Sequence, residues 1–522
     1  MSSEPNRPEE TPLLRTSSTR SATDALLVTT RQSIAIRVSI ICIFSILLIE
    51  IGDYLSQAPL ARTLEDIICR AYYSTAPVSE LREAPRLSIP ESRCKNDVIQ
   101  GKLAMLKGWD QTFSFVPGLI MSVPFGVLAD RVGRKAVLFT SLMGIALALV
   151  WVQIVCYFDS FFDIRWMWSS NLFLFIGGGS AVARTMFFTI IADVVAEERR
   201  ATVFFQITAA SLIATLAGVP LAWWLIKVSN LRVPMILAVV FTSLGAVLIL
   251  VLPETLHLRE HQIVSSTNAD PAQAETAEDE DSLSDNEGAL ILSNKNWTIL
   301  LEKFEESRFV FTNPKLLALS VTFLVQSLHG NMSQFLLQLA SKRLSWTLAD
   351  ASFLIPLGSI TNFVQLVLVL PVIYAILSKF HLQAAVKDLL VSRGSALFMA
   401  LGSFGLALSV DRGLFVMSTV LFSLGMGLYP AIRSLLTDLV HPTQVSRLYG
   451  VLAVMDTIGG MISSPLVAGA FSSGLKKGGL WSGGGFLVAG IAYTAAGLLT
   501  LSVSVKIDDN IDYVHVVEDE DS

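Results

Sequence analysis

The stretch Gly126-Val-Leu-Ala-Asp130-Arg131-Val-Gly133-Arg134-Lys135 decides how this chain is read, because of what flanks it. The run 104–128 enters it and the run 135–157 leaves it, both apolar and both long enough for a helix across a bilayer core of about 30 Å, which takes roughly 20 residues. Working outward, twelve such runs appear, at 36–59, 104–128, 135–157, 167–193, 202–226, 232–253, 315–340, 349–378, 390–410, 413–436, 446–472 and 481–505. Composition agrees. Hydrophobic residues make up 52% of the 522 and charged residues only 16%, where a globular chain carries about 25%. The mean hydropathy of +0.58 points to lipid.

The chain divides into a polar tail at 1–35, expected to be disordered, and six spans over 36–253 with an extramembrane loop at 61–103. An acidic cytosolic linker at 254–314, six further spans over 315–505 and an acidic cytosolic tail at 506–522 complete it. Within the linker, Trp297 to Phe311 reads as an amphipathic helix on the membrane surface. Eight acids in 261–290 and seven in 506–522 carry the net charge of −6; without those stretches 37 bases face 29 acids. The membrane body is basic, and no nucleic-acid partner is implied. Short loops after even-numbered spans hold ten Lys and Arg against eight on the other side, so orientation rests on the Arg-bearing N-terminal arm, which favours the cytosol. An echo links the halves: Asp193 to Arg200 precedes a span with Pro220, and Asp438 to Arg447 precedes one with Pro465.

In the opening stretch Gly126 allows close helix contact, and Gly133 allows a tight turn with positive φ. Asp130 can accept hydrogen bonds from a helix N-terminus or pair with arginine, while Arg131, Arg134 and Lys135 hold the cytosolic edge. Such a group is a conformational latch for a moving bundle; the plainer alternative is a basic loop that fixes topology. The spacing G-x-x-x-D-R-x-G-R-K after a second apolar span resembles the loop signature of the major facilitator superfamily. Gly177-Gly178-Gly179, the run Ala192-Asp193 to Phe205, and Leu103 to Trp109 extend the resemblance to a fungal branch, distantly similar to the proton-coupled folate transporter group. It implies an all-α polytopic membrane protein of twelve helices in two six-helix bundles around a central substrate path. One departure stands out: proton antiporters of the superfamily carry Gly-Pro-x-x-Gly-Gly in span five, whereas this chain reads Gly218-Val-Pro220-Leu-Ala-Trp223. Direction of transport is therefore left open.

Ionisable groups within the spans are costly and hence functional candidates. Glu50 and Asp53 share a helical face at i, i+3, roughly 21 and 25 Å from the cytosolic edge at 1.5 Å per residue. Such a carboxylate can take and release a proton, although Asp53 also suits a wet outer rim. Arg184, about 13 to 14 Å deep, needs a carboxylate, a substrate anion or backbone carbonyls, and the resemblance makes Glu50 its partner. Span seven is dense in polar groups, with Gln326, His329 and Gln334 able to share a stripe; His329 can relay protons or simply be a packed core residue. Asn362 suits a cavity or an interhelical hydrogen bond, and Asp456 faces either Arg433 or a vestibule. Trp223 and Trp224, with the other tryptophans, read as interfacial anchors. Cys69 and Cys94 lie outside the cytosol, where a disulfide or two free thiols are both open. The Glu9 to Leu14 run fits an acidic dileucine address, keeping the vacuolar membrane beside the favoured plasma membrane.

These readings converge on a monomeric secondary transporter without cofactor, moving a small organic solute through the bilayer with protons as coupling ions. Export of a toxic or secondary metabolite is favoured over uptake by symport, and a non-transporting sensor is the rival class. No Walker loop and no metal-ligand or Ser/His/Asp grouping occurs in the spans, which argues against an ATP-driven pump or an intramembrane enzyme.

Overall fold

The computed structural model describes residues 16–75, 90–195, 197–254, 308–380, 382–440 and 444–503, and no strand occurs among them. Ten of its helices are long and apolar enough to cross a bilayer. The second span, Asp97–Val132, and the seventh, built from Pro314–Val321, a 3-10 turn at Thr322–Val325 and Leu328–Arg343, complete twelve in two six-helix bundles. An even count leaves both chain ends on one face, here called inner.

The first helix runs Thr16–Thr75, so it starts inside the expected tail and ends well beyond the expected first span. Once a helix is nucleated, each added residue costs little, and the Ser/Thr-rich approach is carried by the apolar helix behind it. Residues 1–15, with the dileucine run, the linker from 255 to 307 and the tail from 504 lie outside the described residues. The loop beyond span one carries Cys94 back to Cys69, and the two are joined by a disulfide with Cα atoms 5.4 Å apart.

Lipid tails are as apolar as leucine, so burial of hydrocarbon does little to hold helices together here; close approach and hydrogen bonds do more. Span one lies against span six (Arg232–Ile249) on that basis. A Cβ on Gly52 would stand 2.8 Å from the Ala238 carbonyl, and Ser45 donates to the Gly245 carbonyl at 2.7 Å. In the other half Phe323, Phe415, Phe471, Phe486 and Tyr493 fill the core.

Four spans are interrupted, each for a local reason. In span four a 3-10 stretch, Ile164–Ile176, passes into the helix Gly179–Val194 through Gly178 and Gly179, whose φ of 76° and 65° suit only glycine. Span seven breaks at its 3-10 turn. Span eight carries a π turn at Gln365–Val369 just before Pro371, which lacks the donor a regular ladder needs. Span ten splits at Gly425 to Gly427 between Arg412–Leu424 and Leu428–Asp438.

The halves meet along spans two and eleven (Val445–Lys477), and the closely packed residues all belong to their outer stretches. Gly101 abuts Ser472, Gly108 abuts Ala468, Thr112 donates to the Met461 carbonyl at 3.4 Å and Phe115 lies on Gly460. Further inward, Gly126 and Gly450 face open space. Among the described residues the close contacts between the halves thus lie on the outer side, the arrangement of a state closed outside and open inside.

Candidate functional site

Span one positions the acidic side of the inner opening. Its tight contacts with span six, and with span five through Gly218 against Tyr54, turn Glu50 towards Ser211, whose hydroxyl donates to it at 2.8 Å. Asp53, one turn further out, is exposed and accepts from Gln57 at 2.8 Å. Both acids thus hold a neutral donor, and neither is ion-paired among the described residues.

The glycine break in span four starts a new helix five residues before Arg184, whose side chain is exposed. Arg184 makes no ion pair or hydrogen bond among the described residues, yet its charge reaches both Glu50 of the N-terminal half and Asp456 of the C-terminal half. Arg184 thus stands near Glu50 without touching it. Asp456 accepts from the Ser327 hydroxyl at 2.5 Å, while Arg433 stands over the rings of Phe323 and Tyr449 instead of bridging to it. The break in span seven is what presents Ser327 to Asp456.

The expected stripe on span seven does not share one environment. Gln334 reaches across the interface to Gln111 at 3.2 Å, in the sealed outer part. His329 is stacked on Phe422 inside the C-terminal bundle, with ring centroids 4.9 Å apart, and its Nδ1 is buried without a partner among the described residues, as is the Gln326 Oε1. His329 and Gln334 lie in the one helix Leu328–Arg343, where five residues at 3.6 per turn is about 140° of rotation, so the two point to different faces. Asn331 donates to Ser463 and Ser464 and is buried as an interhelical tie. The Asn362 Oδ1 is also buried without a partner.

Around the opening stretch, Gly133 turns with φ 109° between spans two and three, as its position suggested. Gly126, by contrast, makes no close helix contact among the described residues. Arg131 is exposed and Lys135 half-buried. Arg134 does not sit on the surface: only 3% exposed, it pairs with Asp193 at the end of span four, and its backbone N–H donates to Glu254 at 3.1 Å. A single arginine therefore ties the start of span three to the inner ends of spans four and six.

Several contributors escape a sequence reading. Ser211 and Ser327 are ordinary hydroxyls until the fold sets them against carboxylates. Lys107 and Asp110 stand at i, i+3 within span two; Asp110 accepts from Asn171 at 2.9 Å, and Lys107 lines the sealed crevice with Gln111, Asn331 and Gln334. Charge within an apolar run was the available signal. Trp223 is no plain anchor: its indole donates to Asp350 of the other half at 2.8 Å.

Residues 104–381, more than half of the chain, match the profile of the Major Facilitator Superfamily. The chain belongs to that superfamily. It is 31% identical to the MFS efflux pump atnC of Emericella nidulans over 91% of this chain and 88% of that protein. It is 28% identical to the efflux pump ustT of Aspergillus flavus, covering 85% and 83%. Among solved structures, a D-xylose-proton symporter superposes with a TM-score of 0.57 at 12% identity, covering 89% of this chain and 96% of that one. The human organic anion transporter MFSD10 gives 0.54 at 14%, covering 89% and 99%. These structural likenesses speak to the fold. As a superfamily member the protein is a transporter in which two bundles rock about a central site, and not an enzyme.

Proposed function

We propose that this transporter exports a small organic metabolite in exchange for protons, with Glu50 as proton carrier and Arg184 as a cationic anchor for the solute. The carrying observation is Arg184, exposed and unpaired among the described residues at mid-span, with one carboxylate in each half within reach of its charge. A solute held between the two, with an acceptor on Arg184 and a donor or cationic group on ionised Glu50, loses the second hold when Glu50 takes a proton. Protonation of Glu50 and occupation by solute then oppose each other, which is what exchange requires. Export is supported by the efflux names of the fungal relatives. Gly126, Asp130, Arg131, Gly133, Arg134 and Lys135 serve as the inner latch when the bundles close on that side. The working unit is a monomer in the plasma membrane.

The test compares metabolites retained by cells with and without the gene, then follows the identified solute in proteoliposomes. With the exterior acidic, solute should leave the vesicle-equivalent cytosol uphill. Movement into it under the same gradient would establish uptake by symport, and flux indifferent to the gradient would remove the proton from the scheme.

A further inference from the structure

The outer face carries a segment whose construction exceeds what a connecting loop needs. Residues Glu91–Lys95 form a 3-10 turn that leads through Asn96, the N-cap, into span two. It is fastened to span one at three points. Cys94 is bonded to Cys69, Lys95 pairs with Glu65 at 2.8 Å, and Glu91 lies 3.6 Å from Arg62. Glu65 is fully buried and accepts additionally from Arg62 and Gln100, so the anchor is a satisfied ionic knot beneath the disulfide. The segment must therefore move with the N-terminal half.

Its free groups nonetheless bond to the C-terminal half. The Lys342 ammonium, at the outer end of span seven, pairs with Asp97 at 2.9 Å and also donates to the Lys95 carbonyl. The Glu91 carboxylate accepts from the backbone N–H of Leu348, where span eight begins, at 3.1 Å. Across the molecule, Trp223 and Lys227 of span five meet Asp350, giving the outer face a second fastening. We infer that residues 90–97 are an outer strap, anchored by the Cys69–Cys94 disulfide, that holds the inward-open state by gripping Lys342 and the start of span eight. This rests on the alternating-access reading above. The grip is partly exposed, with Asp97 at 44% and Lys342 at 26%, so it can be released in each cycle; a buried pair would lock.

The test uses the full chain in nanodiscs, with Cys42→Ala and Cys156→Ala and spin labels on Arg165→Cys and Arg412→Cys for the outer face. A second pair, Val251→Cys and Lys379→Cys, reports the inner face. Lys342→Ala should raise the population with long outer distances about fivefold, Lys342→Ala with Glu91→Ala should raise it further, and Cys69→Ser with Cys94→Ser should act like Lys342→Ala. High salt should mimic the effect in the parent protein by screening the Lys342–Asp97 pair. If Lys342→Ala does not reach the membrane, Lys342→Gln, which keeps a donor but no charge, takes its place. Outer distances unchanged by the double substitution and by salt overturn the strap. An outer pair that lengthens while the inner pair never shortens supports the strap and overturns the rocking of two halves instead.

Discussion

Glu50 and Arg184 are where single side chains decide the chemistry. Replacing Glu50 by Gln keeps the Ser211 contact but removes the titration, so proton-driven flux should fall by at least about tenfold with protein still at the membrane, each tenfold being about 1.4 kcal/mol of coupling. Ser211→Ala, which removes a neutral donor only, should cost a few fold. Flux assays across pH 5 to 8 check both, and a Glu50→Gln protein that still responds to the gradient removes Glu50 from the path. Arg134→Ala has a different character: it strands Asp193, 9% exposed, without its cation, and should lower stability by about 3 to 5 kcal/mol, measurable by unfolding in detergent. At this scale the sequence was informative wherever a charge interrupts an apolar run. Glu50, Asp53 and Arg184 stand out that way, and Lys107 and Asp110 obey the same rule near the blurred start of span two. Hydroxyls carry no such mark. Ser211 and Ser327 acquire meaning only from the carboxylates placed opposite them.

Elements are shaped by glycine and proline at identifiable points. A Cβ on Gly177 would lie 2.3 Å from the Ser141 Cα, and one on Gly459 would lie 2.0 Å from the Leu324 carbonyl oxygen. Backbone cannot yield as a side-chain tip can, so Gly177→Val or Gly459→Val should destabilise by more than about 2 kcal/mol and reduce the amount of folded protein recovered by size exclusion. Gly126→Ala, facing open space in the inward-open state, should leave that recovery unchanged. Hydropathy located all twelve spans, because a helix must satisfy its backbone in hydrocarbon wherever its side chains point. It did not reveal the 3-10 turn of span seven or the π turn of span eight. Those depend on how neighbouring helices replace lost backbone partners, which no local run of residues records.

Over the whole molecule, the contact between spans two and eleven makes the two halves one gated device. A Cβ built on Gly101 stands 3.5 Å from the Ser472 Cβ, within the range for a disulfide. Gly101→Cys with Ser472→Cys should therefore crosslink under mild oxidation, fix the outer face shut and abolish turnover. A reductant should restore flux to the level of equally treated parent protein. Crosslinking with full transport would mean that the outer face need not open, and would end the alternating-access account.

Composition, the spacing of apolar runs and the decapeptide at 126–135 were enough to establish a twelve-helix superfamily transporter, since lipid imposes its demands on each segment separately. Which state the protein rests in, which donors meet which carboxylates, and that Arg184 stands apart from Glu50 were decided only when segments far apart in the chain were packed together. Those are properties of distance between spans, and a linear order of residues holds no record of it.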